Sequence, residues 1–398
     1  MKKRGVKKVM IIIFSCTAAL LLLAFTALFL ASGLFQSQKY LQPWDKSYAK
    51  QHKDLRVQLA AYGLLAANGH NMQPWKIKLD KKDPMTFYLY ADADRMSPEA
   101  DPQARQMMVT QGTFLDYVAV AGQKIGYPVQ ITLFPEGDYD EQHLDNSMSD
   151  KPVAKIILKK TNPQRSPLLN ALYLPDTNRA NYKSDALTEQ QIHSLESLNE
   201  DEQITTKIYQ DKTNVRKLGN FAIDGAIIEA GVPRVTKEAS AIFRPNEYQK
   251  NKYRYGFSFE GQGTSGFSLY FMQGLITLFP FLNSEKAASD LMIQSTKTSI
   301  KHTPAYAMIS SRDNSRASQV KSGMLYSRLT LTAHTLGLVV QPVSQALEEY
   351  PEMSTLYHGI HESYAPKGQT IQMLVRIGKP TEEVPQSMRR DVMDLIKE

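Results

Sequence analysis

Three amide side chains and an imidazole stand beside a tryptophan in the stretch Asn68-Gly69-His70-Asn71-Met72-Gln73-Pro74-Trp75. Asn and Gln each carry a donor and an acceptor on one planar group, which suits the alternating edge of a heteroaromatic ring. The same residues also suit a polar turn at the end of a helix, and spacing leaves both readings open. Other chemistries find less support. The eight histidines form no H-E-x-x-H pattern, and His358 and His361, with Gly359 between them and no third spaced ligand, read as a surface turn. Gly261-Gln262-Gly263 continues into neither a dinucleotide-binding nor a P-loop pattern, and no G-x-S-x-G elbow occurs. The lone cysteine, Cys16, excludes an internal disulfide and any Cys-cluster metal site.

The elements that position this loop follow from periodicity. A helix starts near Leu55 and stops at Asn68-Gly69-His70-Asn71; Trp75–Leu79 and Thr86–Tyr90 then read as strands. Residues 103–126 read as a long helix, with Met107, Gly112, Leu115, Val118, Ala119 and Gly122 mostly three or four apart, followed by strands over Val129–Phe134 and Val153–Leu158. A repeat links the two ends of the chain. Gly112–Gln130 aligns without a gap on Gly323–Gln341 at an offset of 211, with Gly112/Gly323, Gly126/Gly337, Val129/Val340 and Gln130/Gln341 identical. Each copy is a helix that ends at a glycine and enters a strand, as a duplicated α+β unit requires. The halves run over about 55–165 and 166–398. Residues 240–300 fit neither copy. They are rich in aromatics and uncharged from Gly266 to Leu282, and suit a core cover, a lid over a flat ligand or a membrane-dipping element.

The chain has 398 residues, 42% hydrophobic and 22% charged, which excludes a largely disordered protein. Its net charge is +7, but Lys2, Lys3, Arg4, Lys7 and Lys8 supply five of the basic groups in segment 1–8. The remainder holds 42 basic against 40 acidic residues, so nothing marks a nucleic-acid binder. Val9–Leu30 is free of charge and long enough to cross a bilayer, giving a transmembrane anchor over 9–31 and a polar tether over 32–54. The basic start keeps the N-terminus inside, so the expected location is the cytoplasmic membrane, single-pass, with an extracytoplasmic body.

The ordered set of motifs resembles the FMN-dependent nitroreductase family, in the Acg-like branch with two fused nitroreductase units. His70-Asn71-Met72-Gln73-Pro74-Trp75 is similar to its N-x-Q-P-W loop. Asp92-Ala93-Asp94-Arg95, Asp101-Pro102, Arg105 and Gln111-Gly112 are similar to its D-x-x-R…D-P…R…G pattern. Thr177-Asn178-Arg179 resembles the T-N-R opening of the second unit, Ser344-Gln345-Ala346-Leu347-Glu348 its N-Q-P-L-E loop, and Gln372–Gly378 with Arg389-Arg390 its closing strand and arginines. The resemblance implies an α+β nitroreductase-like fold in which the fused units imitate a dimer, with FMN in the cleft between them. It implies that Asn71, Gln73 and Trp75 face the ring or ribityl chain and that Gln341 passes the reactive edge. Thr177, Arg179, Arg389 and Arg390 would hold the phosphate, a hydroxyl with guanidinium groups being a sound dianion site.

Pro175 stands where the phosphate motif has its first arginine, and the second cleft lacks both of its motifs, so one FMN per chain is expected. The implied activity is electron transfer to a flat acceptor such as a nitroaromatic or quinone, from NAD(P)H or a membrane donor, with no side chain acting as nucleophile or base. The alternative is a flavin-binding protein without turnover. The internal pseudo-dimer makes a monomer the expected state.

Overall fold

The computed structural model describes residues 2–198, 202–366 and 368–397. It opens with the long helix α1 (Lys2–Ser32), of which Lys7–Ser32 is long and apolar enough to cross a membrane. A first unit follows: α2 (Leu55–Gly63), β1 (Trp75–Leu79), β2 (Thr86–Ala91), α3 (Arg105–Ile125), β3 (Val129–Leu133), α4 (Leu144–Asp150) and β4 (Ala154–Leu158). The strands form an antiparallel sheet in the order β1-β2-β4-β3. After α5 (Leu168–Ala171) and α6 (Glu189–Glu196), the second unit brings β5 (Ile204–Tyr209), α7 (Lys212–Ala230), α8 (Pro233–Ala241), α9 (Glu247–Tyr253), α10 (Gly266–Leu278) and α11 (Glu285–Lys301). It closes with β6 (Ala305–Ser311), α12 (Arg316–Thr335), β7 (Val339–Pro342), α13 (Ser354–Tyr364) and β8 (Thr370–Gly378). Its antiparallel sheet has the order β5-β6-β8-β7, the same connectivity as the first.

The repeated segments meet face to face. α3 packs on α12, and each helix puts a glycine where the other's backbone passes. A Cβ on Gly112 would lie 1.8 Å from the Val320 carbonyl oxygen, and a Cβ on Gly323 1.8 Å from that of Val109. Arg105 and Arg316, also 211 apart, open the two helices and reach across in turn. Arg105 donates to the Leu347 and Gln372 carbonyls at 2.7 Å each, Arg316 to the Gln103 carbonyl at 2.7 Å. The helices end where Gly126 (φ 79°) and Gly337 (φ 71°) turn left-handed, the conformation that costs a residue without Cβ least. β6 and β8 are buried along their whole length, because helices cover both faces of the second sheet.

Two expectations change. Residues 32–54 are no tether: Tyr40, Trp44, Tyr48 and Ala49 are buried, since their apolar area outweighs the polar composition around them. The 166–398 half also reaches the first unit. Its tail returns to the first sheet, where Ile396 bridges Ile77 in parallel and the Lys397 amide donates to the Ile77 carbonyl at 2.7 Å, covering the open edge of β1. The insertion is larger than 240–300, because all of α7–α11 lies between β5 and β6, where the first unit has only residues 80–85 between β1 and β2.

Candidate functional site

A cleft of about 230 Å³ lies between the two units. Asn68–Asn71 and the α3 residues Gln106, Val109, Thr110 and Thr113 form one wall. Ser344, Gln345 and Glu348 after β7, with Glu229 of α7 and Tyr326 of α12, form the other. Asp176, Thr177 and Arg179 enter from the connector, Ser387 and Met388 from the tail, and Gly256–Ser258 with Glu260 and Gly261 from the insertion.

The Asn68–Gln73 loop is held in an unusual shape. His70, Asn71 and Gln73 all have φ 51°, a region that costs a side-chain-bearing residue about 1–3 kcal/mol. Surrounding bonds fix it. The Asn68 carboxamide oxygen accepts from the Gln73 amide at 2.8 Å, and the Gly69 amide donates to Thr110 Oγ1 at 3.1 Å. Asn71 Nδ2 donates to the carbonyls of Gly256 and Met388, both at 3.2 Å. Asn71 Oδ1 accepts from Arg389 Nη1 at 3.1 Å. The front loop, the insertion and the C-terminal tail therefore meet at one carboxamide.

Arg389 is fully buried behind that junction. It also donates to the Leu65, Ala66 and Met388 carbonyls, lies 3.7 Å from the Asp176 carboxylate and sits 4.7 Å from the centre of the Trp44 ring. Arg179, by contrast, is exposed on the cleft side, where it donates to the Gly261 carbonyl at 2.8 Å.

The cleft also shelters two carboxyl groups. Burial pushes Glu229 up to about 7, although Gln345 hydrogen-bonds it. Burial and the neighbouring Glu229 raise Glu348 well above the usual carboxylate range. Burial, with Arg179 nearby, pushes His70 down to about 4, so its ring is neutral at pH 7. His70 Nδ1, Gln345 Oε1, Glu229 Oε2 and Glu348 Oε2 are buried without a protein partner, which is costly unless a polar ligand meets them.

Of the residues expected at the site, Asn71, Thr177 and Arg179 line the cleft. Five do not. Trp75 is fully buried in the first core, its ring 5.2 Å from Phe114 and its Nε1 donating to the Thr110 carbonyl at 3.1 Å. Gln73 is fully buried and clasps the tail: its Oε1 accepts from the Arg390 amide at 2.8 Å, and its Nε2 donates to the Arg254 carbonyl at 2.9 Å. Arg390 donates to the Gln73 and Asp394 carbonyls and stays in the first unit. Gln341 pairs with Arg376 in the sheet, outside the lining. Arg389 backs the wall without forming it. Sequence spacing shows which residues travel together, but the left-handed backbone at positions 70, 71 and 73 decides which of them turn inward.

His70, Asp176, Glu229, Gln345 and Glu348 were missing from the expected set. Gln345 and Glu348 belong to the Ser344–Glu348 stretch that carries the family resemblance, so a signal existed. Glu229 has none, being one glutamate on a mixed helix.

No protein-family model matches the chain, and no curated protein matches it. Similar solved structures include a nitroreductase-like family protein from Bacillus cereus, 12% identical, covering 60% of this chain and 98% of that one at a TM-score of 0.31. A nitroreductase with bound FMN from Desulfitobacterium hafniense is 9% identical and covers 59% of this chain and 99% of its own, at a TM-score of 0.36. An FMN-dependent nitroreductase from Mycobacterium smegmatis in complex with NADPH is 13% identical, covering 54% and 90%, at a TM-score of 0.31.

Proposed function

We propose that this chain is two fused nitroreductase-like units holding one FMN in the cleft between them, and that it is a membrane-anchored oxidoreductase acting on a flat acceptor such as a nitroaromatic or quinone. The observation that carries this reading is the junction at Asn71. The front-loop motif and the terminal arginine, 318 positions apart, meet at 3.1 Å beside a cleft that both units line. The partnerless polar atoms of His70, Glu229, Gln345 and Glu348 suit a polar, planar ligand.

In this reading Thr177 and Arg179 take the phosphate. Gln345 and the neutral His70 face the ring or ribityl chain. Asn71 and Arg389, whose polar atoms are engaged with protein, position the loop. Burial, with Glu229 beside it, raises the proton affinity of Glu348 above that of an ordinary carboxyl, so its Oε2 is the wall's candidate for holding a proton beside the bound ring. FMN, when bound, supplies a ring that takes up and passes on two electrons. α1 anchors the chain, and the basic residues of its first turns keep the N-terminus inside, leaving the body extracytoplasmic. The fused pair serves as its own dimer, so the chain acts as a monomer.

A second reading, flavin binding without turnover, is favoured by the insertion. Phe257 lies 5.2 Å from the His70 ring, and the Gly256 amide donates to the Asn71 carbonyl at 3.1 Å, so this segment packs directly on the loop that would meet the flavin. The full chain in detergent, mixed with FMN, decides between them. The cofactor reading expects one bound equivalent with flavin absorbance near ~450 nm; a colourless protein that ignores FMN overturns it. Anaerobic bleaching by NADPH or a reduced quinol supports the enzyme. Reduction by dithionite alone supports the binding protein.

A further inference from the structure

α10 is mostly apolar, with Ser268, Gln273 and Thr277 as its polar side chains besides Tyr270, and from Gly261 to Ser284 the chain carries no Asp, Glu, Lys or Arg. Such a helix belongs inside a core or a bilayer. Yet Phe267 is 66% exposed and Phe281 75%, and Leu278, Phe279 and Leu282 are exposed beside them. A contiguous apolar face of this kind on a folded body marks a partner.

α1 identifies the partner. α10 packs on the C-terminal end of α1, at backbone distance: a Cβ on Gly274 would lie 2.2 Å from the Leu28 carbonyl oxygen. The Phe29 and Phe267 rings are 5.3 Å apart, and Tyr248 Oη donates to the Leu30 carbonyl at 3.3 Å. Close approach at a small residue is how helices associate in lipid. The opposite side of α10 is tied to the body. Gln273 Nε2 donates to Glu247 Oε1 at 3.1 Å, and Glu247 binds both the fully buried Lys250, at 2.5 Å, and Tyr40 Oη, at 2.7 Å. Lys250 also pairs with Glu260, which lines the cleft. Gln273 thus points into the protein, while the aromatic face points away beside the end of α1. At about 1.5 Å per residue, its 13 residues reach roughly 20 Å, too short to cross a hydrocarbon core of about 30 Å.

We propose that the lipid bilayer is the partner of this face. Residues 266–282 lie in the interfacial layer of the membrane that α1 crosses, which brings the cleft's cover, residues 256–263, to the membrane surface. This rests on α1 spanning the bilayer, one part of the function proposed above.

The test uses the full chain in vesicles of phosphatidylcholine with a minor fraction of phosphatidylglycerol. One sample carries a nitroxide on the native Cys16. Two others carry Cys16→Ser with the nitroxide on Phe281→Cys or on Asp145→Cys, an exposed position on α4. Relaxation by oxygen is compared with relaxation by a water-soluble nickel chelate. The expected oxygen-to-nickel ratio at position 281 lies between those at Cys16 and at position 145, and exceeds the latter several-fold. A ratio at 281 equal to that at 145, with Cys16 still in lipid, overturns the inference and leaves the anchor intact. A label at 281 shielded from both reagents and broadened by a second spin makes another copy the partner and overturns it too. Water exposure at Cys16 removes the anchor and the inference together.

Discussion

Arg179 and Arg389 look equivalent in sequence and have opposite surroundings. Arg389→Ala leaves the Leu65 carbonyl without its side-chain donor, removes one of the donors to Ala66, Met388 and Asn71 Oδ1, strands the nearby Asp176 carboxylate and empties the space over Trp44, so a loss of about 3–5 kcal/mol is expected in denaturant unfolding. Arg389→Lys should recover little, because an ammonium cannot serve carbonyls on both sides of a planar fork. Arg179→Ala should leave stability within about 0.5 kcal/mol and weaken FMN binding about tenfold or more, read by flavin fluorescence titration. Glu229 supplies a pH signature. Its folded value near 7 lies above the ordinary carboxylate value, so the folded state binds the extra proton and stability falls as pH rises through that interval. Glu229→Gln removes this contribution. Its unfolding free energy should drop less than that of the parent chain between about pH 5 and pH 7.5. His70 acts in the opposite sense: its value near 4 lies below the ordinary imidazole value, so its contribution is present at neutral pH and lost on acidification. It is common to both proteins and cancels in the comparison.

The α3–α12 pair is the element on which the two units register. Its two glycines face each other's carbonyls, and no side chain can yield to admit a methyl group, since the obstructing atoms are backbone. Gly323→Ala should therefore force the helices apart and cost about 3 kcal/mol or more, seen as a lowered thermal midpoint of the full chain. Gly337→Ala, with nothing within 4 Å of the added carbon but a φ of 71°, should cost only about 1 kcal/mol, from backbone strain alone. The contrast separates crowding from conformation at two glycines of one copy of the repeat.

Across the whole molecule the chain ends are interlocked. The Arg389 amide donates to the Tyr40 carbonyl at 2.9 Å, the Val392 amide to Tyr48 Oη at 3.0 Å, and Trp44 Nε1 to the Ser387 carbonyl at 2.8 Å. Val392 and Leu395 complete the first core. Ending the chain before Ser387 should expose the β1 edge and that core, and yield aggregated protein instead of a shortened folded one, as size-exclusion chromatography in detergent would show. A single cooperative transition is expected for the body, because neither unit holds its core without residues from the other.

Much of the first unit is legible without coordinates. Trp75–Leu79 forms β1 with the bounds that its residue pattern gives, and Arg105–Ile125 falls within the expected 103–126. These elements report themselves because periodic burial and glycine stops are local properties of the chain. The repeat at an offset of 211 likewise foretells matching halves, and Gly112 against Gly323 makes that match a contact. What the residues could not disclose is partnership. Tyr40, Trp44 and Tyr48 gain partners from a tail more than three hundred positions away, and Tyr40 also from Glu247 of the insertion, so a segment that reads as polar linker becomes core. Gln73 and Asn71, two apart in one motif, both reach the tail, but the left-handed turns at positions 70, 71 and 73 bury Gln73 there and leave Asn71 on the cleft as well. Glu229 and Glu348 acquire their proton affinity from burial beside each other, a property of assembled space that neither helix nor loop carries alone. Sequence determined which segments are helix, strand and membrane-length helix, because those depend on neighbours along the chain. Tertiary structure decided which polar groups face the cleft, because that depends on neighbours across it.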